Sequence, residues 1–417
     1  MKILKSRNIV SHLSNAVVVK KCVYFTVILS ILSTGFILNL MINESQPMYK
    51  DHHVKFPTDL KYILFWRLET NRKGYYFKKL PDLLEGQAMF INQKCKYINC
   101  FITYNNSILH GNSKNFDAVV FNIKEIFDVK REEIELTRSP EQKYIFNSMD
   151  SAAIFPVCFP YLDNFFNLTW TYRFDSDIPQ PFFDIYDYNN NLVGPKQQMN
   201  WIIDMKHTNR YKNVIHNKTK AVAWIVNKCR SRRKHFQLVT DIGRELNSYN
   251  YSLDLYGKCG GTKCPGDNIL SCYEIIEKSY YFQLVLEDTT SEDHVTERMG
   301  RAMMQTAIPI VQGGLEYASY LPPGSYINMK NLTIKELGAI IDYLIHNPKY
   351  YAYFFDWKSY YYYTIRPKDY VCDLCAYLNE DIGHSKKTYK KFRKWWNSAF
   401  HKHCQQKRLF DLFIDFQ

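Results

Sequence analysis

At 417 residues, the chain is long enough for two domains of ordinary size, each with its own core. Hydrophobic residues make up 46% and charged residues 23%, the balance of a chain that folds as a globule over most of its length. The net charge of +13 attracts phosphate groups. No zinc-finger spacing, RNP pattern or basic stripe interleaved with aromatics accompanies it, which leaves nucleic acid out as a partner.

The first element in chain order is an uncharged run of 21 residues, Cys22 to Ile42, long enough to cross a bilayer as a helix. Lys2, Lys5, Arg7, Lys20 and Lys21 precede it, and Asn43, Glu44, Ser45 and Gln46 follow. The positive flank predicts a cytoplasmic tail at 1–21, an uncleaved signal anchor at 22–42 and a lumenal remainder. Six N-x-S/T patterns follow, at Asn43, Asn105, Asn167, Asn217, Asn250 and Asn331, as expected of a chain exposed to glycosylation. Ten of the eleven cysteines lie beyond the anchor, an even number suited to pairing in an oxidising compartment. Cys372 and Cys375 are spaced for a close disulfide with each other.

A polar stem occupies 43–58. Lys61 to Leu68, Phe116 to Ile123 and Tyr144 to Phe146 then read as buried strands separated by longer mixed segments, the pattern of βα units on a parallel sheet. Tyr186 to Asn217 is polar and aperiodic, the expected passage between two domains. A second series follows: Ala221 to Val226, Tyr251 to Tyr256, Phe282 to Leu286 and Ile308 to Val311, four strands of a second parallel sheet. Val295, Met299, Ala302, Met303 and Thr306 recur at helical spacing. Thr333 with Glu336 makes a capping box before another helix. The expected organisation is an α/β domain at 59–200, a second at 215–370, and a basic, aromatic tail at 371–417 with no assigned place. Ligands of such sheets sit at the carboxyl ends of the strands.

Seven segments, in order, resemble the α1,3-fucosyltransferase family. Phe166 to Asp177 reads FNLTWTYRFDSD, Ala221 to Cys229 reads AVAWIVNKC and Asp254 to Gly260 reads DLYGKCG. Phe282 to Met299 reads FQLVLEDTTSEDHVTERM, similar to the family's donor signature. It is followed by AIPIVQGG, YLPPGSYINMKNL and an aromatic element at Tyr350 to Lys358. The resemblance implies two Rossmann-like domains facing across a cleft (the GT-B type), preceded by one transmembrane helix. The first would bind a glycoprotein glycan acceptor and the second GDP-fucose. It further implies inverting transfer with no metal and no cofactor beyond the donor, by a single-pass type II protein of the Golgi membrane. DLYGKCG is the form associated with members that modify the N-glycan core.

Transfer needs a base for the acceptor hydroxyl and cations for the departing diphosphate. Where the family carries its basic glutamate, this chain has Asp150. Arg233, with Arg232 as the neighbouring alternative, lies where a strand turns into a helix, and an arginine there can fork onto a diphosphate. The resemblance assigns Glu297 to the ribose hydroxyls and Arg298 to the phosphates, at a helix start that itself favours phosphate. Asp288 and His294 complete the donor set, replacing an asparagine and a tyrosine, and Glu292 replaces a lysine found in several members. Two rival readings keep the same fold: a glycan-binding relative without turnover, and a transferase with a changed donor. Asp175-Ser176-Asp177 resembles an Asp-x-Asp metal motif, and its position in the acceptor-domain match gives it a structural role instead.

Overall fold

The computed structural model describes residues 59–67, 83–134, 136–207, 215, 217–226, 233–287, 289, 291–312, 316–367, 370–380, 388–397 and 404. The expected tail, anchor and stem at 1–58 lie outside them, as do Arg232 and Asp288. Among the described residues no helix is long and apolar enough to cross a membrane.

The first lobe is a parallel sheet of six strands: β1 (Lys61–Phe65), β2 (Cys100–Thr103), β3 (Ala118–Asn122), β4 (Lys143–Ser148), β5 (Leu168–Thr171) and β6 (Ile178–Pro179). Their order is β2-β1-β3-β4-β5-β6. The inner strands are buried almost throughout, as in Ala118 to Phe121, because helices and loops cover both faces of a parallel sheet. A short helix, α1 (Ile123–Ile126), leaves β3 directly and is capped by the Asn122 side chain.

Next in the chain come β7 (Phe183–Asp187) and β8 (Leu192–Gly194). The second lobe then runs β9 (Lys220–Ile225), α2 (Arg233–Asn247), β10 (Leu253–Tyr256), α3 (Ile269–Ser279), β11 (Tyr280–Leu286), α4 (Glu297–Met304), β12 (Ile308–Gln312), β13 (Ile327–Asn328), α5 (Ile334–His346) and β14 (Tyr361–Ile365). Its parallel sheet has the order β10-β9-β11-β12-β13, and all four strands expected here are in it. The Thr333–Glu336 capping box is present in both directions.

Three expectations need correction. The passage at Tyr186 to Asn217 is not wholly aperiodic: β7 pairs antiparallel with β14 on one side and with β8 on the other, in a separate sheet. One face of that sheet, with Phe183, Ile185, Tyr361 and Tyr363, packs on α4. The approach is close, since a methyl at Gly300 would come within 2.8 Å of Phe183 Cγ. The sequence hid these strands because they are only three to five residues long, too short for an alternating pattern to stand out.

Second, Cys372 and Cys375 do not pair with each other. They open α6 (Cys372–Asn379) and bond to Cys95 and Cys100 of the first lobe. Residues three apart on a helix share a face, so both thiols reach the same neighbouring segment. Cys158 pairs with Cys404 and Cys264 with Cys272. The segment beyond 371 thereby gains a place. Val371, Leu374 and Cys375 join the core beneath β1 and β3. Helix α7 (Phe392–Trp396) sets Phe392 and Trp396 edge-on against Phe146 of β4.

Third, the Asn167 sequon is a buried structural residue. Its side-chain oxygen accepts from Tyr144 N at 2.8 Å and from Arg138 Nη2. Asn105, Asn217, Asn250 and Asn331 are exposed.

Candidate active site

The lobes enclose a cavity of about 430 Å³, within the usual size of a ligand site. It opens at the carboxyl ends of β1, β3 and β4 on one side and of β9 on the other. In each sheet these ends flank the point where the strand order reverses, the place where open α/β sheets leave a crevice.

On the first-lobe wall, side chains fasten three strand ends together. Asn122 Nδ2 donates to Asn147 Oδ1 at 2.7 Å, and Asn147 Nδ2 donates to Trp170 O at 3.1 Å. Asn122 Oδ1 also accepts from Lys124 N. Beyond β4, Ser148 Oγ donates to Asp150 O at 2.8 Å and accepts from Asp150 N at 3.1 Å. That local ring turns the chain so that Asp150 lines the cavity. Its Oδ2 lies 2.7 Å from Lys124 Nζ. Lys124, which also lines the cavity, was missed from the sequence. The signal was there: a cation just past a strand that turns into a helix, the reasoning that selected Arg233.

On the second-lobe wall the cavity meets the start of α4. Thr296, at the cap position, makes no capping bond with its own side chain. Glu287, at the end of β11, accepts from Thr296 N at 2.9 Å and from Thr296 Oγ1 at 3.1 Å, fixing the helix start to the strand. Glu297 and Arg298 follow, and both line the cavity. Arg298 Nη1 donates to Leu286 O at 2.9 Å, so part of its guanidinium holds the strand end. Arg301 and Tyr273 extend this wall. Burial pushes the Tyr273 hydroxyl up to about 12, against the pull of Arg298 and Arg301, which keeps it a neutral donor. The positive end of α4 and its cations make this wall suited to an anion. Arg233 begins α2, as the strand-to-helix reading expects, and its side chain lies outside the described residues.

His294 lines the cavity from a buried position, edge-on to Tyr172 at 4.7 Å and to Phe182 at 5.6 Å. Its Nδ1 is 3.3 Å from Thr289 Oγ1. The Asp-x-Asp pair is occupied by protein groups. Asp175 takes Arg173 and Trp395 Nε1, and Asp177 takes Thr169 and Tyr389. Among the described residues no cluster of His, Cys, Asp or Glu could hold a metal.

Two parallel-sheet lobes facing across such a cavity, with a carboxylate on one wall and a cation-bearing helix start on the other, define a class: the two-lobed glycosyltransferases. Comparison with known proteins narrows it. The family model described as "Fucosyltransferase, N-terminal" matches residues 58–183, and "Glycosyltransferase family 10 (fucosyltransferase) C-term" matches 215–395. "Alpha-(1,3)-fucosyltransferase C" of Drosophila melanogaster is 30% identical over 370 residues, 85% of this chain and 83% of that one. "Glycoprotein 3-alpha-L-fucosyltransferase A" of the same organism is 27% identical over 84% of this chain and 64% of its own length. A solved structure, "Crystal Structure of alpha1,3-Fucosyltransferase", aligns at 14% identity and TM-score 0.43, covering 81% of this chain and 95% of that one. The chain belongs to the α1,3-fucosyltransferase family, glycosyltransferase family 10, and is an enzyme of that family.

Proposed function

We propose that the protein transfers L-fucose from GDP-fucose to N-acetylglucosamine of glycoprotein glycans in α1,3 linkage, with inversion and without a metal, and that its acceptor is the N-glycan core. The observation that carries this reading is the placement of Asp150 opposite the start of α4 in one cavity. Asp150 takes the proton of the acceptor hydroxyl. The oxygen attacks the fucose anomeric carbon from the face away from the diphosphate, and the bond to GDP breaks with its electron pair leaving on phosphate. A preorganised positive helix end and fixed cations stabilise that charge without reorganising. Glu297 opens the same helix and lines the cavity, and the resemblance assigns it to the ribose hydroxyls; Arg233 opens the helix after β9, where the diphosphate is expected. Asp288 and His294 belong to the donor side of this reading. Asp254 to Gly260, in the form associated with core-modifying members, supports the choice of acceptor. GDP-fucose is the only small molecule the reaction needs.

The uncharged run at 22–42 behind a positive flank supports reading the chain as a single-pass type II protein of the Golgi membrane with both lobes lumenal. The test of the reaction is GDP release by the full-length chain in detergent, with GDP-fucose alone and with an N-glycan core acceptor, followed by mass measurement of the glycan. A gain of one deoxyhexose on the core supports the reading. No transfer to any glycan, with GDP still bound, replaces it with a glycan-binding role. The test of topology is endoglycosidase treatment: glycans at Asn105, Asn217, Asn250 or Asn331 support a lumenal domain, and an unshifted band overturns it.

A further inference from the structure

Four consecutive residues of the loop between β11 and α4 each touch the first lobe. Ser291 Oγ accepts from Ala153 N at 3.2 Å. Glu292 Oε2 lies 3.1 Å from Arg173 Nη2. Asp293 Oδ2 accepts from Phe174 N at 3.0 Å. His294 stands edge-on to Tyr172. The loop runs from Glu287, which fastens the start of α4, to Glu297, which is assigned to the donor. The first-lobe partners include Ala153, three residues beyond Asp150, and the run Tyr172 to Phe174. The contacts therefore span between the candidate base and the candidate donor site.

The geometry of the loop is costly in isolation. Asp293 has φ 57°, a left-handed conformation uncommon outside glycine that persists where surroundings determine it. Here two bonds fix it, from Phe174 N to its carboxylate and from Tyr320 OH to its carbonyl at 3.1 Å. Arg173 is equally committed. Its side chain is 6% exposed, stands 4.9 Å from the Trp395 ring centroid and forks onto Asp175 at 2.8 and 2.9 Å. Burial works against its charge, and Asp175 with Glu292 more than offsets that. An apolar seam would join two lobes equally well. A seam of single, directional bonds fixes position, because each loses its attraction steeply when bent or stretched.

We infer that Arg173 and Glu292 are positioning residues: they set the register between the first lobe, which bears the base, and the loop that leads to the donor-side helix start. The inference rests on the proposed roles of Asp150 and Glu297. It explains why a glutamate stands at 292, since a lysine there would face the Arg173 guanidinium.

The experiment uses the full-length chain with Glu292→Gln and Glu292→Lys. Glu292 is 57% exposed, so neither change buries a group. Three quantities are measured: kcat for transfer at saturating GDP-fucose, the dissociation constant for GDP, and amide hydrogen exchange at Ala153 and Phe174. A misplacement of about 1 Å costs around a hundredfold in rate. Glu292→Lys is expected to lower kcat by roughly ten- to a hundredfold on that scale. GDP affinity should stay within about twofold of the parent, because Glu292 does not line the cavity. Glu292→Gln, which removes the attraction without adding a repelling charge, should fall between. Exchange at both amides should speed in Glu292→Lys. A parental kcat in Glu292→Lys overturns the inference. So does a loss that appears only in GDP affinity, which would make the loop a donor contact and nothing more. If the parent itself transfers no fucose, the proposed function fails on its own account. The exchange measurement then still decides the register, and unchanged protection overturns it.

Discussion

On the first-lobe wall of the cleft, side chains from neighbouring strand ends hold one another, Asn122 to Asn147 to the Trp170 carbonyl, before one carboxylate is presented. On the second-lobe wall a single helix start is fastened to its strand by Glu287, and the field of the helix does the presenting. The first arrangement aims one atom. The second favours a charge spread over several oxygens. This difference matches the two halves of the proposed reaction: proton removal depends on where a single oxygen sits, and diphosphate departure depends on the potential over a region.

The comparison breaks first at Asp150. Asp150→Asn should lower transfer by about a hundredfold to ten-thousandfold, the usual contribution of a general base, while GDP binds within about twofold of the parent. Asp150→Glu restores a longer reach and should match or exceed the parental rate. Initial rates of fucose transfer and calorimetry with GDP check both, and an Asp150→Asn variant as fast as the parent removes Asp150 from the chemistry.

Next comes the opposite wall. Arg233→Ala should weaken GDP binding by about ten- to a hundredfold, the worth of hydrogen bonds to a charged group. If affinity is unchanged there and lost in Arg232→Ala, the diphosphate clamp moves by one residue. Glu297→Ala should cost less, about three- to tenfold in the GDP dissociation constant, as neutral ribose hydroxyls are its expected partners. An effect on kcat with GDP affinity intact would place Glu297 in the chemistry instead.

A last effect concerns stability instead of binding. Lys218 and Lys358, both on second-lobe segments, are pushed down to about 8 from 10.5, chiefly by burial. Between pH 8 and 10.5 the unfolded chain binds the protons that the folded one has released, so stability rises with pH across that window. The gain from pH 8 to 9.5 should be about 1 to 2 kcal/mol for each lysine. Above pH 10 the sign reverses. Burial holds Tyr161, Tyr172, Tyr317 and Tyr320 above their usual 10, and the unfolded chain then loses its protons first. Urea midpoints at pH 8.0, 9.5 and 10.5 should rise and then fall. A steady decline from pH 8 would show that the two lysines keep their charge in the fold.

Much of the architecture is written in local pattern. Strands such as Ala118 to Asn122 and Tyr280 to Leu286 are buried on both faces, so they appear as continuous apolar runs. Four-residue strands such as Cys100–Thr103 carry too few residues for any period to emerge. Asp150 was singled out only through the resemblance, which sets it where the family carries its glutamate, whereas helical spacing from Val295 announced α4 itself. The bond between Phe174 and Asp293 had no such signal. Its partners are 119 positions apart, and neither residue looks unusual where it stands. Cys372 and Cys375 misled for a related reason. Their spacing is a local fact, and their partners are fixed by where α6 lands on the first lobe.

The return of the C-terminal segment to the first lobe has a consequence for synthesis. The core of the sheet that starts the fold is completed by residues made after the whole of the second lobe. Cys95 and Cys100 emerge 277 and 275 positions ahead of Cys372 and Cys375, a wait of roughly 14 to 55 s at ordinary elongation rates. Throughout that interval the underside of β1 and β3 lacks Val371, Leu374 and the disulfides that pin them. The nascent chain must therefore carry an uncovered apolar face and two reactive thiols while the whole of the second lobe is translated. A chain cut just past β14 should carry a second lobe that is formed and a first sheet that is open to chaperones.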